Sequence, residues 1–153
     1  MNGSATTIRE AGENDLDTVL ALYEHLHDAD EPAGEDETMA AWRAIMDDGR
    51  THLFILESRG VPVSTCMLSI VPNLTRGARP FGIIENVVTR RESRTQGYAT
   101  ALLHHALGCA WGRNCYKVML LTGRKDEAVF RFYERAGFVR GVKEGFVAYP
   151  RNE

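Results

Sequence analysis

Glu85 to Leu103 runs ENVVTRRESRTQGYATALL, and its hydrophobic period changes partway along. Upstream, Ile83, Ile84, Val87 and Val88 place apolar side chains on both faces of a predicted strand, Phe81 to Thr89, the pattern of a strand central to a sheet covered on two sides. Downstream, Ala99, Leu102, Leu103, Ala106, Leu107, Ala110 and Trp111 recur at three and four, which predicts a long helix from near Gln96 to Arg113. The first amides of such a helix have no intrahelical partner and lie at the positive end of its dipole, so a pyrophosphate can accept several N–H bonds there. Gly97 and the small Ala99 keep that approach open, and Arg94 adds a charge-assisted contact. Arg90 and Arg91 can meet a further phosphate, and Thr95 and Thr100 supply hydroxyls. The competing reading is a loop with a solvated arginine cluster.

On the C-terminal side, Cys115 to Leu121 is predicted as a second buried strand, so that Phe81 to Leu121 forms a βαβ unit. Val129, Phe132, Tyr133 and Ala136 mark a helix that ends at Gly137, and Phe138 to Val142 and Gly145 to Tyr149 are expected to pair as closing antiparallel strands. On the N-terminal side, a short strand from Thr6 to Arg9 precedes a helix capped by Asn14 or Asp15, with Leu16, Val19, Leu20, Tyr23 and Leu26 on its apolar face. Asp28 to Glu37 reads as an exposed acidic loop, followed by a helix using Met39, Trp42, Ile45 and Met46 and stopped by Gly49. His52 to Ser58 and Val61 to Val71 form a hairpin turning at Arg59 and Gly60, and Pro72 to Pro80 ends its second strand. The result is a mixed sheet flanked by helices.

With 153 residues, 44% hydrophobic and 25% charged, the chain has the balance of one soluble globular domain, not of a disordered chain or a coiled-coil rod. A formal charge of −3 offers no positive field for nucleic acid or an anionic bilayer, so neither is an expected partner. The longest uncharged stretches fall short of the ~18 apolar residues a membrane span needs, and MNGSATTIRE has no secretory signature, so the expected location is cytoplasmic. Cys66, Cys109 and Cys115 make no CxxC pair and are expected as buried free thiols. The five histidines, His25, His27, His52, His104 and His105, have no metal-ligand spacing, so no metal is expected.

Arg94, Gly97 and Ala99 match the acyl-CoA motif of the GNAT acetyltransferase superfamily: Arg or Gln, two residues, Gly, one residue, then Gly or Ala. The chain resembles that family from TIREAGENDLDTVLALY through VVTRRESR and KDEAVFRFYERAGF to FVAYP, nearly end to end. NCYKVMLLTG, FYERAGF and IENVV are similar to the branch that contains glucosamine-6-phosphate N-acetyltransferase and its bacterial relatives, although Asn86 stands where that enzyme commonly has an acidic residue. The resemblance implies a single-domain α/β (α+β) GNAT fold over residues 1–153, with a mixed, mostly antiparallel sheet of about six to seven strands, a central βαβ unit and about four flanking helices. It also implies acetyl-CoA as cosubstrate, held by Val87, Val88, Thr89, Arg94, Thr95, Gln96, Gly97, Tyr98, Ala99, Thr100 and Asp126. Thr95 replaces the glycine usual directly after the arginine, and Asp126 replaces a common asparagine. Family members often dimerise, sometimes through C-terminal strands, for which Phe146 to Tyr149 is available, so a homodimer is expected.

Acetyl transfer to an amine needs a neutral nucleophile, a stabilised oxyanion and a proton for the departing thiolate. Tyr133 stands where the family has its general acid, although it also shares a packing stripe with Val129, Phe132 and Ala136. Glu85 is the candidate base, either aimed into the cleft or paired with an arginine as an edge carboxylate. The Val88 N–H is the expected oxyanion donor, pre-positioned by its strand. The acidic residues Asp28, Asp30, Glu31, Glu35, Asp36 and Glu37 form either a lid attracting a cationic amine or a solvated loop. Cys115 has no local base, which favours direct transfer in a ternary complex. The expected acceptor is a small-molecule primary amine. A protein N-terminus or lysine is the alternative within enzymes, and a non-catalytic acyl-CoA-binding module the alternative outside them.

Overall fold

Turn chemistry and alternation build the sheet as expected. Arg59 and Gly60 both take positive φ, 52° and 76°, the twist-matched turn of a tight hairpin. The computed structural model describes residues 5–26 and 31–150. They contain β1 (Thr6–Glu10), α1 (Leu16–Tyr23), α2 (Glu35–Asp47), β2 (Thr51–Ser58), β3 (Val61–Val71), a four-residue turn α3 (Thr75–Ala78), β4 (Phe81–Thr89), α4 (Tyr98–Gly112), β5 (Val118–Met119) and α5 (Glu127–Arg135). The strands lie in the order β1-β2-β3-β4-β5, with three antiparallel pairings and a parallel β4–β5 pair. This is an α/β fold with a mixed sheet. The chain groups into two units, Met1–Leu120 and Leu121–Glu153.

In the first unit the register sorts side chains cleanly. Leu53 and Ile55 face the same way as their cross-strand partners Met67 and Thr65, and with Val19 of α1 and Trp42 of α2 they form a core cluster. Phe54, Leu68 and Ile84 point to the other face, where Phe54 meets His105 of α4 edge-on at 4.8 Å. Leu102, Leu103, Ala106 and Ala110 bury that side of α4 completely. Burial of large aliphatic side chains, each worth about 1.5–3 kcal/mol, is the main force holding these layers.

Three expectations are corrected. Glu35, Asp36 and Glu37 are not loop but the first turn of α2, where acidic side chains complement the helix dipole. The strand expected over Cys115 to Leu121 is reduced to Val118–Met119. Phe138 to Val142 and Gly145 to Tyr149 form no strands, so the described residues hold five strands instead of six or seven. Their β-forming residues lack a ladder, and a two-stranded hairpin is marginal without a third strand.

In the second unit, Asp126 caps α5 by accepting the Val129 N–H at 3.2 Å and is paired with Arg124. The helix ends where Gly137 adopts φ 100° and the Phe138 N–H returns to the Tyr133 carbonyl at 3.1 Å. Tyr133 packs between Phe132 and Phe138, with ring centroids 4.8 and 6.2 Å away. Val139, Val142, Phe146, Val147 and Tyr149 are exposed.

Candidate active site

β4 is paired on both sides only at its start. Gly82 aligns with Val118 and Ile83 with Met119, the Gly82 N–H donating to the Lys117 carbonyl at 2.9 Å. Gly82 is closely packed, and a Cβ there would lie 3.0 Å from both Leu68 Cδ1 and Val118 Cγ2, which would have to shift. Among the described residues, β4 has no further pairing with β5, so residues 84–89 present an open edge.

That open segment is also bulged. Thr65 opposes Val88 but Met67 opposes Glu85, so Asn86 and Val87 together face Cys66. Asn86 is left-handed, with φ 53°, a conformation its short polar side chain tolerates better than most. Glu85 is exposed and shares the face of Thr65 and Met67, the side covered by α1 and α2. Tyr23, the last residue of α1, has its phenol pKa pushed up by burial.

The bulge decides which amides face outward. The Val88 carbonyl accepts from Ser64 Oγ at 2.8 Å and the next paired amide, Arg90 N–H, donates to the Val63 carbonyl at 2.9 Å. By strand alternation the polar main chain of Val88 therefore points to β3. The expectation that the Val88 N–H serves as oxyanion donor is thus corrected: Val87 and Thr89 flank it with their main chains toward the open edge.

Beyond β4 the chain makes a tight corner. Arg94 Nε donates to the Thr89 carbonyl at 3.3 Å and Nη2 to the His25 carbonyl at 3.1 Å, while the Arg91 N–H donates to His25 Nδ1 at 3.3 Å. These bonds tie the end of α1 to the corner. Thr95 has φ 64° and Gly97 φ 80°, so the glycine usual at the position of Thr95 corresponds to a left-handed residue here. No side chain caps α4. Its first amides at Tyr98, Ala99 and Thr100 are left without helical acceptors, and the Ala101 N–H is the first to bond back, to the Gly97 carbonyl. Tyr98 turns its hydroxyl to Gln96 Oε1 and Ser58 Oγ, each at 3.0 Å. Arg90 Nε is buried with no hydrogen-bond partner among the described residues.

The first unit therefore brings Glu85, Val87, Val88, Thr89, Arg94, Thr95, Gln96, Gly97, Tyr98, Ala99 and Thr100 onto one continuous strand, corner and helix start. Asp126 and Tyr133 belong to the second unit, where Asp126 is engaged as a helix cap. Asp28 and Asp30 of the acidic stretch, and His27, lie outside the described residues. Burial pushes the Cys66 thiol up to about 12 and raises those of Cys109 and Cys115, which disfavours a thiolate nucleophile. Sequence reasoning missed Asn86, the left-handed residue of the bulge, and His25, which bonds to the corner. An asparagine inside a run of β-formers was the available signal, since Asn is depleted in strands and enriched at left-handed positions.

A parallel pair that parts after two rungs, a bulged open edge and an uncapped helix start define a scaffold for an extended, anionic acyl carrier. The chain belongs to the acetyltransferase (GNAT) family, which it matches over residues 19–138, and is an acyltransferase. It is 32% identical over 131 residues to a glucosamine 6-phosphate N-acetyltransferase of Trypanosoma brucei brucei, covering 86% of this chain and 87% of that one. The solved structure of a "putative acetyltransferase" from Agrobacterium tumefaciens str. C58 superposes with a TM-score of 0.88 at 45% identity, covering 94% of this chain and 99% of that one. A "predicted acetyltransferase" from Clostridium acetobutylicum, solved with acetyl-CoA, shares the fold at a TM-score of 0.72 and 20% identity, over 94% of this chain and 96% of that one.

Proposed function

We propose that the protein, acting as one acetyltransferase domain, transfers the acetyl group of acetyl-CoA to the primary amine of a small molecule by direct attack in a ternary complex. The open edge of β4 running into the uncapped start of α4 carries this reading. The edge offers main-chain groups to an extended pantetheine, and the corner offers the Tyr98, Ala99 and Thr100 amides with Arg94 to a pyrophosphate. Arg94 would exchange its contacts with two carbonyls for phosphate oxygens, and Thr95 and Gln96 shape the corner. The Clostridium acetobutylicum protein solved with acetyl-CoA supports the choice of cosubstrate.

In the reaction the amine nitrogen attacks the thioester carbonyl, the C–S bond breaks, and the amide keeps the acetyl carbon. Glu85 takes the amine proton, directly or through water, and an open-edge amide, Val87 or Thr89, receives the oxyanion. Family resemblance supports Tyr133 as the donor of a proton to the thiolate and Asp126 as a further cofactor contact. The Trypanosoma brucei brucei relative supports an amino-sugar phosphate among the candidate acceptors. Exposed Val139, Val142, Phe146, Val147 and Tyr149 support a homodimer, which light scattering tests. Three unpaired cysteines fit action in the reducing cytoplasm.

The test is release of free thiol from acetyl-CoA with a panel of amines that includes glucosamine 6-phosphate, peptide N-termini and lysine. Release with a small amine is expected; release only with peptides gives a protein acetyltransferase, and coenzyme binding without release for any amine overturns catalysis in favour of a binding module. Tyr133→Phe is expected to lower turnover by about 10²-fold or more while leaving acetyl-CoA affinity in place, and unchanged turnover removes Tyr133 from the mechanism.

A further inference from the structure

The corner before α4 is tied to the sheet by a chain of hydroxyls. Ser58 closes β2, where it pairs with Thr6 of β1 and Val61 of β3, and by alternation it follows Phe54 and Leu56 on the face covered by α4. Its Oγ lies 3.0 Å from the Tyr98 hydroxyl, a half-buried contact between residues 40 apart in sequence. The same hydroxyl lies 3.0 Å from Gln96 Oε1. A carboxamide oxygen only accepts, so the phenol proton goes to Gln96 and the Ser58 hydroxyl donates to Tyr98. The three side chains thus form one directed chain from a β2 anchor to the corner, and bonds in such a chain strengthen one another.

The corner needs such a tie. Thr95 and Gly97 are both left-handed within three residues, and a β-branched residue at φ 64° keeps that conformation only where its surroundings fix it. Arg94 also holds the corner, through the Thr89 and His25 carbonyls, but those are the contacts it would exchange for phosphate oxygens. The Tyr98 hydroxyl has no such exchange to make. We infer that Ser58 and Tyr98 are positioning residues: the Ser58–Tyr98–Gln96 chain holds the left-handed corner so that the Tyr98, Ala99 and Thr100 amides stay free for a pyrophosphate, before and after Arg94 turns to it. The inference rests on the acetyl-CoA reading for its consequence, though not for its geometry. Ser58 need touch neither coenzyme nor amine, since it acts through the Tyr98 phenol.

Tyr98→Phe removes the phenol oxygen and keeps the ring, and Ser58→Ala cuts the same chain from a different element. Each is expected to weaken coenzyme A binding, read by calorimetry, by about five- to tenfold, the size of one hydrogen bond, and the double variant should bind no more weakly than Tyr98→Phe alone. For Ser58→Ala the KM for acetyl-CoA should rise by the same factor with kcat changed by less than about twofold, because the chain acts on the pyrophosphate and not on the acetyl group. In the free protein Ser58→Ala should shift the backbone amide resonances of Gly97 and Ala99, and in the Tyr98→Phe background it should leave them in place. If Tyr98→Phe fails to fold, Ser58→Ala is read alone, by those resonances and by its coenzyme affinity. Additive losses of affinity, or unmoved resonances, overturn the inference and leave Tyr98 a packing residue. Because the resonances are read without coenzyme, a wild-type protein that does not bind coenzyme A would defeat the acetyl-transfer reading while the tie to the corner is still measured.

Discussion

The two ends of β4 are built from one strand under opposite constraints. At residues 82–83 the strand is hydrogen-bonded on both sides and packs so closely that a methyl group at Gly82 would lie 3.0 Å from side-chain carbons of Leu68 and Val118. At residues 84–89 one edge is open, a left-handed asparagine interrupts the pairing, and a carboxylate is exposed. Close packing at the first end aligns the sheet, and loss of the neighbour at the second makes main-chain groups available for a ligand. A central strand is thus made to behave as an edge strand over half its length. The free groups of an edge are a liability in most sheets and an asset where a coenzyme can pair with them.

Substitutions at the two ends should separate chemistry from stability. The largest effect is expected from Glu85→Gln, which should lower the rate of acetyl transfer by about 10²-fold or more at neutral pH with the thermal midpoint unchanged. Steady-state kinetics beside a melting curve checks this, and an unchanged rate would assign the amine proton to water. At the closed end, Gly82→Val should cost about 1–3 kcal/mol in urea unfolding by overpacking against Leu68 and Val118. A tolerated valine would show that the closed end is slacker than its contacts imply.

Two smaller effects test the surroundings. Thr95→Gly relieves a β-branched residue at φ 64° and should add about 0.5 kcal/mol, the left-handed penalty less the extra entropy of glycine. A loss in urea unfolding would mean that the threonine hydroxyl, which bonds to the Arg94 carbonyl at 2.6 Å, matters more than the strain. Asp15→Asn lies far from both ends in sequence and serves as a control. Hydrogen bonds from Arg9, at 2.7 and 2.8 Å, hold the Asp15 carboxyl below the usual carboxylate range. The stability this pair contributes is present above the ordinary aspartate pKa and lost as pH falls through the lowered one. Wild type should therefore exceed Asp15→Asn by about 1 kcal/mol or less at pH 7, and the two should converge in acid.

Much of the framework was legible because its signals are local. The long helix, the strand before it, the Arg59–Gly60 turn and the Gly137 stop all follow from side-chain period or from residues suited to positive φ. Family membership followed from Arg94, Gly97 and Ala99 in their context. The acidic start of α2 was harder to read, because Glu35, Asp36 and Glu37 suit a solvated loop as well as a helix terminus. The C-terminal segment failed for a different reason. Val, Phe and Tyr suit a pleated surface, but no neighbouring ladder forms on them among the described residues.

The short-range content of the chain, its periods of two and 3.6 and its turn residues, was enough to place a buried strand ahead of a strong helix with an anion-ready start between them. Which amide faces outward was beyond that information. The direction of the Val87 and Val88 main chains depends on a bulge opposite Cys66, on β5 parting after two rungs, and on the Arg90 amide pairing with the Val63 carbonyl. Each of these is a bond between residues far apart in sequence, and hydrophobic pattern carries no record of the partner that completes it.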